Sequence, residues 1–279
     1  MPALGTASPD ALPIEVSVGV PSDSAHFWMA LRYQLSFYIR TSRFLGLFGF
    51  VGAVVGALAL GTVYLGVGGS SAAEVLSSNL AYFTILGVVI GAFMGGDAIS
   101  MDFGSGTGYY ALALPIRRAI LLLGRYGAAF LVSMVLIGVF YLVAVSEAVW
   151  LHGTGGFPWA AVGISIGLGA LFILGVLAVA FCFSSVFRSP AVSMIMTVIV
   201  LFFGLGTATG ELPKAGIEPW FSVLYGGLAI AAAIPAQGST LFGPEAAPSL
   251  PLGIAIMLGY AVVFLLVSIL VYEFREVKG

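Results

Sequence analysis

The sequence specifies an all-α membrane protein with six transmembrane helices, and three observations carry that reading. Of the 279 residues, 60% are hydrophobic and only 8% charged, with a mean hydropathy of +1.12; an ordinary soluble domain carries about 25% charge. The apolar residues fall in long runs rather than in the short alternating segments of a transmembrane barrel. Glycine, at 38 residues, is about twice as frequent as usual, and small residues let membrane helices approach closely. Ten basic and twelve acidic side chains cannot cover the surface of a soluble fold of this size. Soluble enzymes, nucleic-acid binders and disordered chains are excluded at this step. The single cysteine, Cys182, excludes an intrachain disulfide and a cysteine-based metal cluster.

Residues 1–24 hold Pro2, Pro9, Pro13 and Pro21 and no apolar run, and are expected to form a flexible cytoplasmic tail. Residues 25–279 form the transmembrane domain. Its first part, 25–43, repeats Phe27, Trp28, Leu31, Leu35, Tyr38 and Ile39 at helical spacing, with Arg32, Ser36, Arg40 and Arg43 on the other side. That pattern predicts an amphipathic helix lying at the membrane interface. Six segments are then long enough to span: 44–67, 76–96, 119–146, 159–183, 190–208 and 252–272. Arg125, near the start of the third, is expected to extend its side chain to the interface. Between Pro219 and Pro235 lies an apolar stretch of only 15 residues, 220–234. At 1.5 Å per residue it reaches about 22 Å, short of the ~30 Å hydrocarbon core. A re-entrant or interfacial hairpin before the last span is expected there.

Charge sets the orientation. With six spans, Arg32, Arg40, Arg43, Arg117, Arg118, Arg188, Arg275 and Lys278 share one side, and Lys214 stands alone on the other. The excess of basic residues predicts that side to be cytoplasmic, with both termini. A seventh span at 220–234 would move Arg275 and Lys278 across and spoil the bias. Glu74, Glu147, Glu211, Glu218 and Glu245 fall outside.

The sequence carries no catalytic constellation. His26 and His152 fall on opposite sides of the membrane, which disfavours a shared metal site. The glycine-flanked Ser105 has no histidine in a later span to act as its base. Neither Lys214 nor Lys278 is followed by Ser or Thr, so the chain lacks a P-loop. Span centres hold no charge, which argues against a proton-coupled carrier; Asp97, at a span end, is the best candidate for such a role. No filter-like motif marks a channel.

The richest segment is the loop after the second span. It reads Gly96-Asp97-Ala98-Ile99-Ser100-Met101-Asp102-Phe103-Gly104-Ser105-Gly106-Thr107, then Gly108-Tyr109-Tyr110-Ala111-Leu112-Ala113-Leu114-Pro115-Ile116-Arg117-Arg118. It offers apolar knobs for a groove on a soluble partner and polar groups to orient them. The pattern resembles the intracellular loop of ABC exporter permeases of the type-2 class. The resemblance rests on Asp97, Ile99-Ser100, Asp102, Gly106-Thr107, Leu114-Pro115 and Arg118. Phe187-Arg188-Ser189-Pro190 is similar to that family's turn between spans four and five, and Glu273-Phe274-Arg275-Glu276-Val277 to its end after span six. The loop differs from the family in being less charged and richer in glycine, at Gly104-Ser105 and Gly108-Tyr109-Tyr110.

The resemblance implies a half-transporter without cofactors of its own, paired with a second permease chain as a homodimer or heterodimer. ATP and Mg belong to cytoplasmic ABC ATPase subunits docked beneath the pair. It assigns ATPase coupling to the loop through Asp97, Ser100, Asp102, Phe103, Gly106, Thr107, Leu114, Pro115 and Arg118. Asp102, Phe103 and Thr107 are expected to touch the ATPase directly, and Asp97 and Arg118 to pair across the loop base. In this family, spans two and five line a substrate path at the dimer interface, which singles out Tyr82, Thr84, Phe93, Met194, Thr197 and Phe202. Their character suits an apolar or amphipathic substrate. A secondary carrier, or a non-transporting scaffold or sensor subunit, is the alternative class.

Overall fold

A computed structural model of the chain describes residues 22–65, 69–104, 117–235 and 247–274. Among the described residues every regular element is helical. In chain order they are α1 (Asp23–Arg40), α2 (Ser42–Leu65), α3 (Ala72–Ala81), α4 (Phe83–Gly95), α5 (Ser100–Gly104), α6 (Arg118–His152), α7 (Trp159–Val186), α8 (Pro190–Val198), α9 (Thr207–Glu211), α10 (Val223–Ala232) and α11 (Leu250–Phe274). Six segments are long and apolar enough to cross a membrane: Phe44–Tyr64, Phe83–Asp102, Arg118–His152, Trp159–Val186, Pro190–Ala215 and Leu250–Phe274. The expected tail falls almost wholly outside the described residues.

Each boundary has a local cause. Ser22 caps α1 by accepting from the Ala25 amide at 3.4 Å. Ser71 caps α3 by accepting from the Glu74 amide at 3.3 Å, and Glu74 Oε2 reaches back to accept from the Ser70 amide at 2.6 Å. Ser71 so satisfies one amide that the first turn leaves without a helical partner, and Glu74 holds the residue before the cap. Pro190 opens α8, where its missing N–H costs nothing. Gly153 ends α6 at φ 77°, a left-handed conformation that glycine adopts without strain.

Two spans carry irregularities. The second is preceded by a break at Tyr82, whose amide bonds to Asn79 and Leu80 where α3 ends and α4 begins. The fifth widens into a π-helix at Ile199–Gly206, between α8 and α9; such segments are rare and concentrate at functional places.

The core is centred on α7. α11 lies along it, and α4, α6, α8 and α10 pack around it. Phe83, Phe140, Phe172 and Phe181 are fully buried, and Phe83 makes edge or tilted contacts with Phe140, Tyr141 and Phe172. Glycine sets the α4–α7 spacing. Gly87, Gly91 and Gly95 recur every fourth residue, on one face of α4. A methyl at Gly87 would stand 2.8 Å from the Phe172 ring, one at Gly95 2.8 Å from Ala180, and one at Gly91 would run into Val176.

The short apolar stretch is resolved as α10. It spans ten residues, about 15 Å, and is buried against α3, α4, α7 and α11. It therefore enters the bundle rather than lying on its surface. The 236–246 segment of the expected hairpin region lies outside the described residues.

Candidate functional site

Four helix ends and α1 converge at the end of the bundle that carries most of the arginines. α4 stops at Gly95, and the chain turns through Gly96 against Met194 of α8; a methyl at Gly96 would sit 2.8 Å from Met194 Cγ. The turn is held by the Ala98 amide donating to Gly95 at 3.3 Å and by the Ser100 hydroxyl donating to Gly96 at 3.2 Å. α5 follows at once, its amides at Met101 and Asp102 bonded to Asp97 and Ile99.

Three other helices fix this turn. Ser184, fully buried near the end of α7, accepts from the Ile99 amide at 2.9 Å and the Ser100 amide at 3.0 Å. One hydroxyl oxygen so satisfies two buried donors, each of which would cost about 1–3 kcal/mol if left alone. Tyr38, buried on α1, donates to the Met94 carbonyl at 2.5 Å. Arg125, in the second turn of α6, donates through Nη1 to the Ala98 carbonyl at 2.8 Å and to Asp102 Oδ2 at 2.5 Å. Its Nη2 reaches Asp102 Oδ1 at 3.2 Å. The pair is bidentate, with side-chain exposures of 9% for Arg125 and 13% for Asp102; such forked geometry fixes orientation as well as distance.

The turn after α4 folds the Asp102 carboxylate and the Ala98 carbonyl directly over the Arg125 guanidinium, which keeps that side chain packed within the chain. At the loop base Asp102 pairs with Arg125. Arg118 Nη1 donates to the carbonyls of Tyr272 at 3.3 Å and Glu273 at 3.2 Å, clasping the end of α11. Asp97 is buried and engaged in the packed base. Asp102 turns inward onto this pair and is half-buried. Ser100 is fully buried in the same base. The Phe103 side chain, Gly106, Thr107, Leu114 and Pro115 lie outside the described residues.

The proposed path residues separate into two groups. Tyr82 and Phe93 are exposed on one stripe of α4, while Met194 and Phe202 are half-buried. Thr84 and Thr197 are buried. Thr84 packs where a methyl at Gly227 of α10 would come within 2.7 Å, and the Thr197 hydroxyl donates to Ser193 of its own helix at 2.8 Å. Neither threonine faces an open surface of the chain. Residue type alone could not reveal this for Thr84, the one polar residue of α4. Arg125, Ser184 and Tyr38 were not singled out as site residues; a charge of opposite sign in a neighbouring span was the one available signal, for Arg125.

Among the described residues, no group of three or more His, Cys, Asp or Glu side chains is placed to hold a metal. The other end of the bundle has its own polar contacts, with Asn79 donating to Glu147 at 3.0 Å and Ser165 donating to the Ile230 carbonyl at 2.9 Å.

Six apolar spans, a buried short helix before the last of them and a clamped polar turn after the second define a multi-pass helical membrane protein. A family model described as "ABC-2 family transporter protein" matches residues 72–271, well over half of the chain, so the chain belongs to the ABC-2 transporter family. A search of curated proteins finds no match.

Proposed function

We propose that the chain is the permease subunit of an ATP-driven exporter in the cell membrane, with both termini cytoplasmic. It has no ATPase motif, and ATP with Mg is hydrolysed by separate cytoplasmic ABC subunits. Those subunits dock on the segment from α5 to Arg118, where Phe103 and Thr107 make the direct contacts and Gly106, Leu114 and Pro115 shape the segment. Asp97, Ser100, Asp102 and Arg118 hold its base. A second permease chain completes the transporter, and an apolar or amphipathic substrate moves along the interface past Tyr82, Phe93, Met194 and Phe202. Thr84 and Thr197, being buried, act in packing rather than on the substrate.

The observation that supports this most is the clamping of the turn after α4 by α1, α6 and α7 together. A push on a loose loop dissipates in the loop, whereas a push on a turn tied to three helices moves those helices. Coupling needs such a two-state element with a stiff connection to the site that drives it.

The test is purification of the tagged chain from its native membrane in mild detergent, followed by a vanadate-sensitive ATP hydrolysis assay. A stoichiometric P-loop ATPase should co-purify, and Phe103→Ala with Thr107→Ala should release it. The chain recovered alone, under conditions that keep other membrane complexes intact, would refute the proposal and favour a carrier or scaffold. Proton-coupling assays on Asp97→Asn would then be the next step.

A further inference from the structure

The rotation of α1 is fixed by its packing. His26, Ala30, Leu31, Gln34 and Tyr38 turn inward, and the helix rests chiefly on α6. Gly124 permits the close approach: a methyl there would lie 2.7 Å from Ala30 Cβ and 3.0 Å from the Phe27 carbonyl. The Tyr38 hydroxyl ties the far end of α1 to α4. The outer face is therefore defined, and it differs from the one periodicity suggests. Trp28 (64%), Met29 (51%), Tyr33 (72%) and Ile39 (58%) are exposed, together with Arg32 and Arg40.

At about 100° per residue these six side chains occupy an arc of about 140°. Arg32 lies beside Ile39 and Trp28, and Arg40 falls between Met29 and Tyr33. Among the described residues neither arginine has an ion partner; the acid on this helix, Asp23, pairs with Arg117 at 3.3 Å. The face thus interleaves two uncompensated guanidinium groups with aromatic and aliphatic side chains. Trp and Tyr favour the boundary between hydrocarbon and water, and arginine there meets phosphate oxygens in forked geometry.

Depth agrees. α6 has 35 residues, about 52 Å, against a hydrocarbon core of about 30 Å, so a centred helix extends about 11 Å beyond the core at each end. Gly124 is six residues past Arg118, about 9 Å along the helix. On a helix so centred, α1 crosses α6 at the edge of the hydrocarbon. After Thr41 the chain enters α2 directly, which holds the end of α1 at the same level. A soluble protein would have to displace lipid to reach this face.

From this we propose that the outer face of α1 is a binding surface for anionic phospholipid, with Arg32 and Arg40 taking the phosphate headgroup and Trp28, Met29, Tyr33 and Ile39 seated among the upper acyl carbons. Each arginine near an anionic surface contributes roughly fivefold to binding, so the two together are worth roughly 30-fold.

The experiment is native mass spectrometry of the full chain in detergent, titrated with phosphatidylglycerol or phosphatidylcholine of identical acyl chains, and a parallel pull-down of co-purifying proteins. Phosphatidylglycerol should be retained in preference to phosphatidylcholine. R32Q/R40Q should lower that preference by roughly 30-fold, and R32K/R40K should keep most of it, which separates loss of charge from misfolding. Equal retention of both lipids by the unaltered chain would overturn the proposal, as would an unchanged preference in R32Q/R40Q. So would a variant that keeps its lipid preference but loses a co-purifying protein, which would assign the face to that protein.

Discussion

The clamp between Arg125 and Asp102 permits a quantitative test. Replacing Arg125 with Met removes the guanidinium but preserves most of the side-chain volume. Asp102, 13% exposed, then keeps a carboxylate without its cation, and the Ala98 carbonyl loses its donor. Breaking a buried pair from one side costs about 3–5 kcal/mol, and the orphaned carbonyl adds about 1–3 kcal/mol. A loss of about 4 kcal/mol or more is therefore expected for Arg125→Met. Removing both charges, as Asp102→Leu with Arg125→Met, leaves no uncompensated ion and should recover at least about 2 kcal/mol of that loss. Reversible unfolding of the detergent-solubilised chain by denaturant, followed by far-ultraviolet circular dichroism, gives each value, and the double-mutant cycle gives the coupling. If Arg125→Met costs less than about 1 kcal/mol, or the double variant is no more stable than the single one, the pair does not clamp the turn.

Three further predictions use other contacts. Ser184→Ala should leave the Ile99 and Ser100 amides without an acceptor, at about 1–3 kcal/mol each, and raise their hydrogen exchange; unchanged exchange there would refute the bridge. Gly91→Ile, which drives a side chain into Val176, should lower the thermal midpoint sharply, whereas Gly138→Ile, with open space around it, should leave it nearly unchanged. The amide and hydroxyl of Ser70, which donate to Glu74, hold its carboxyl below its usual value of 4.5. This contribution to folding is fully present above 4.5 and is lost as pH falls through the lower folded value. In an acid titration of stability Glu74→Gln should flatten that limb; a Gln variant with the same acid limb would remove Glu74 from the account.

The spans were legible because lipid demands about 20 apolar residues in a row, and the chain supplies six such runs. α10 was legible from length alone: 15 residues between prolines cannot cross. What composition could not supply was facing. Thr84 is the one polar residue of α4, so no periodicity distinguishes its face from its neighbours. The pairing of Arg125 was not legible because its partner, Asp102, lies 23 positions away and only the fold of the turn brings it near. The inward face of α1 was misassigned for a similar reason, since Trp28 and Ile39 are apolar yet stand exposed beside Arg32. The break at Tyr82 and the π-helix at Ile199–Gly206 contain no proline, so neither had a sequence signal.

α10 also bears on how the chain is made. A helix of about 15 Å cannot be delivered to the bilayer as a membrane-crossing unit, because its ends would leave peptide groups bare in hydrocarbon. Here those groups have partners that exist only after assembly: Ser165 of α7 donates to the Ile230 carbonyl and Tyr260 of α11 to the Phe221 carbonyl. A methyl at Gly226 would stand 3.2 Å from Met257 and one at Gly227 2.7 Å from Thr84 and 2.8 Å from Phe172, so the slot admits only glycine at these positions without a shift. The seat of α10 is therefore complete only when α7 and the final span are both in place, which makes this short helix dependent on the last span of the chain.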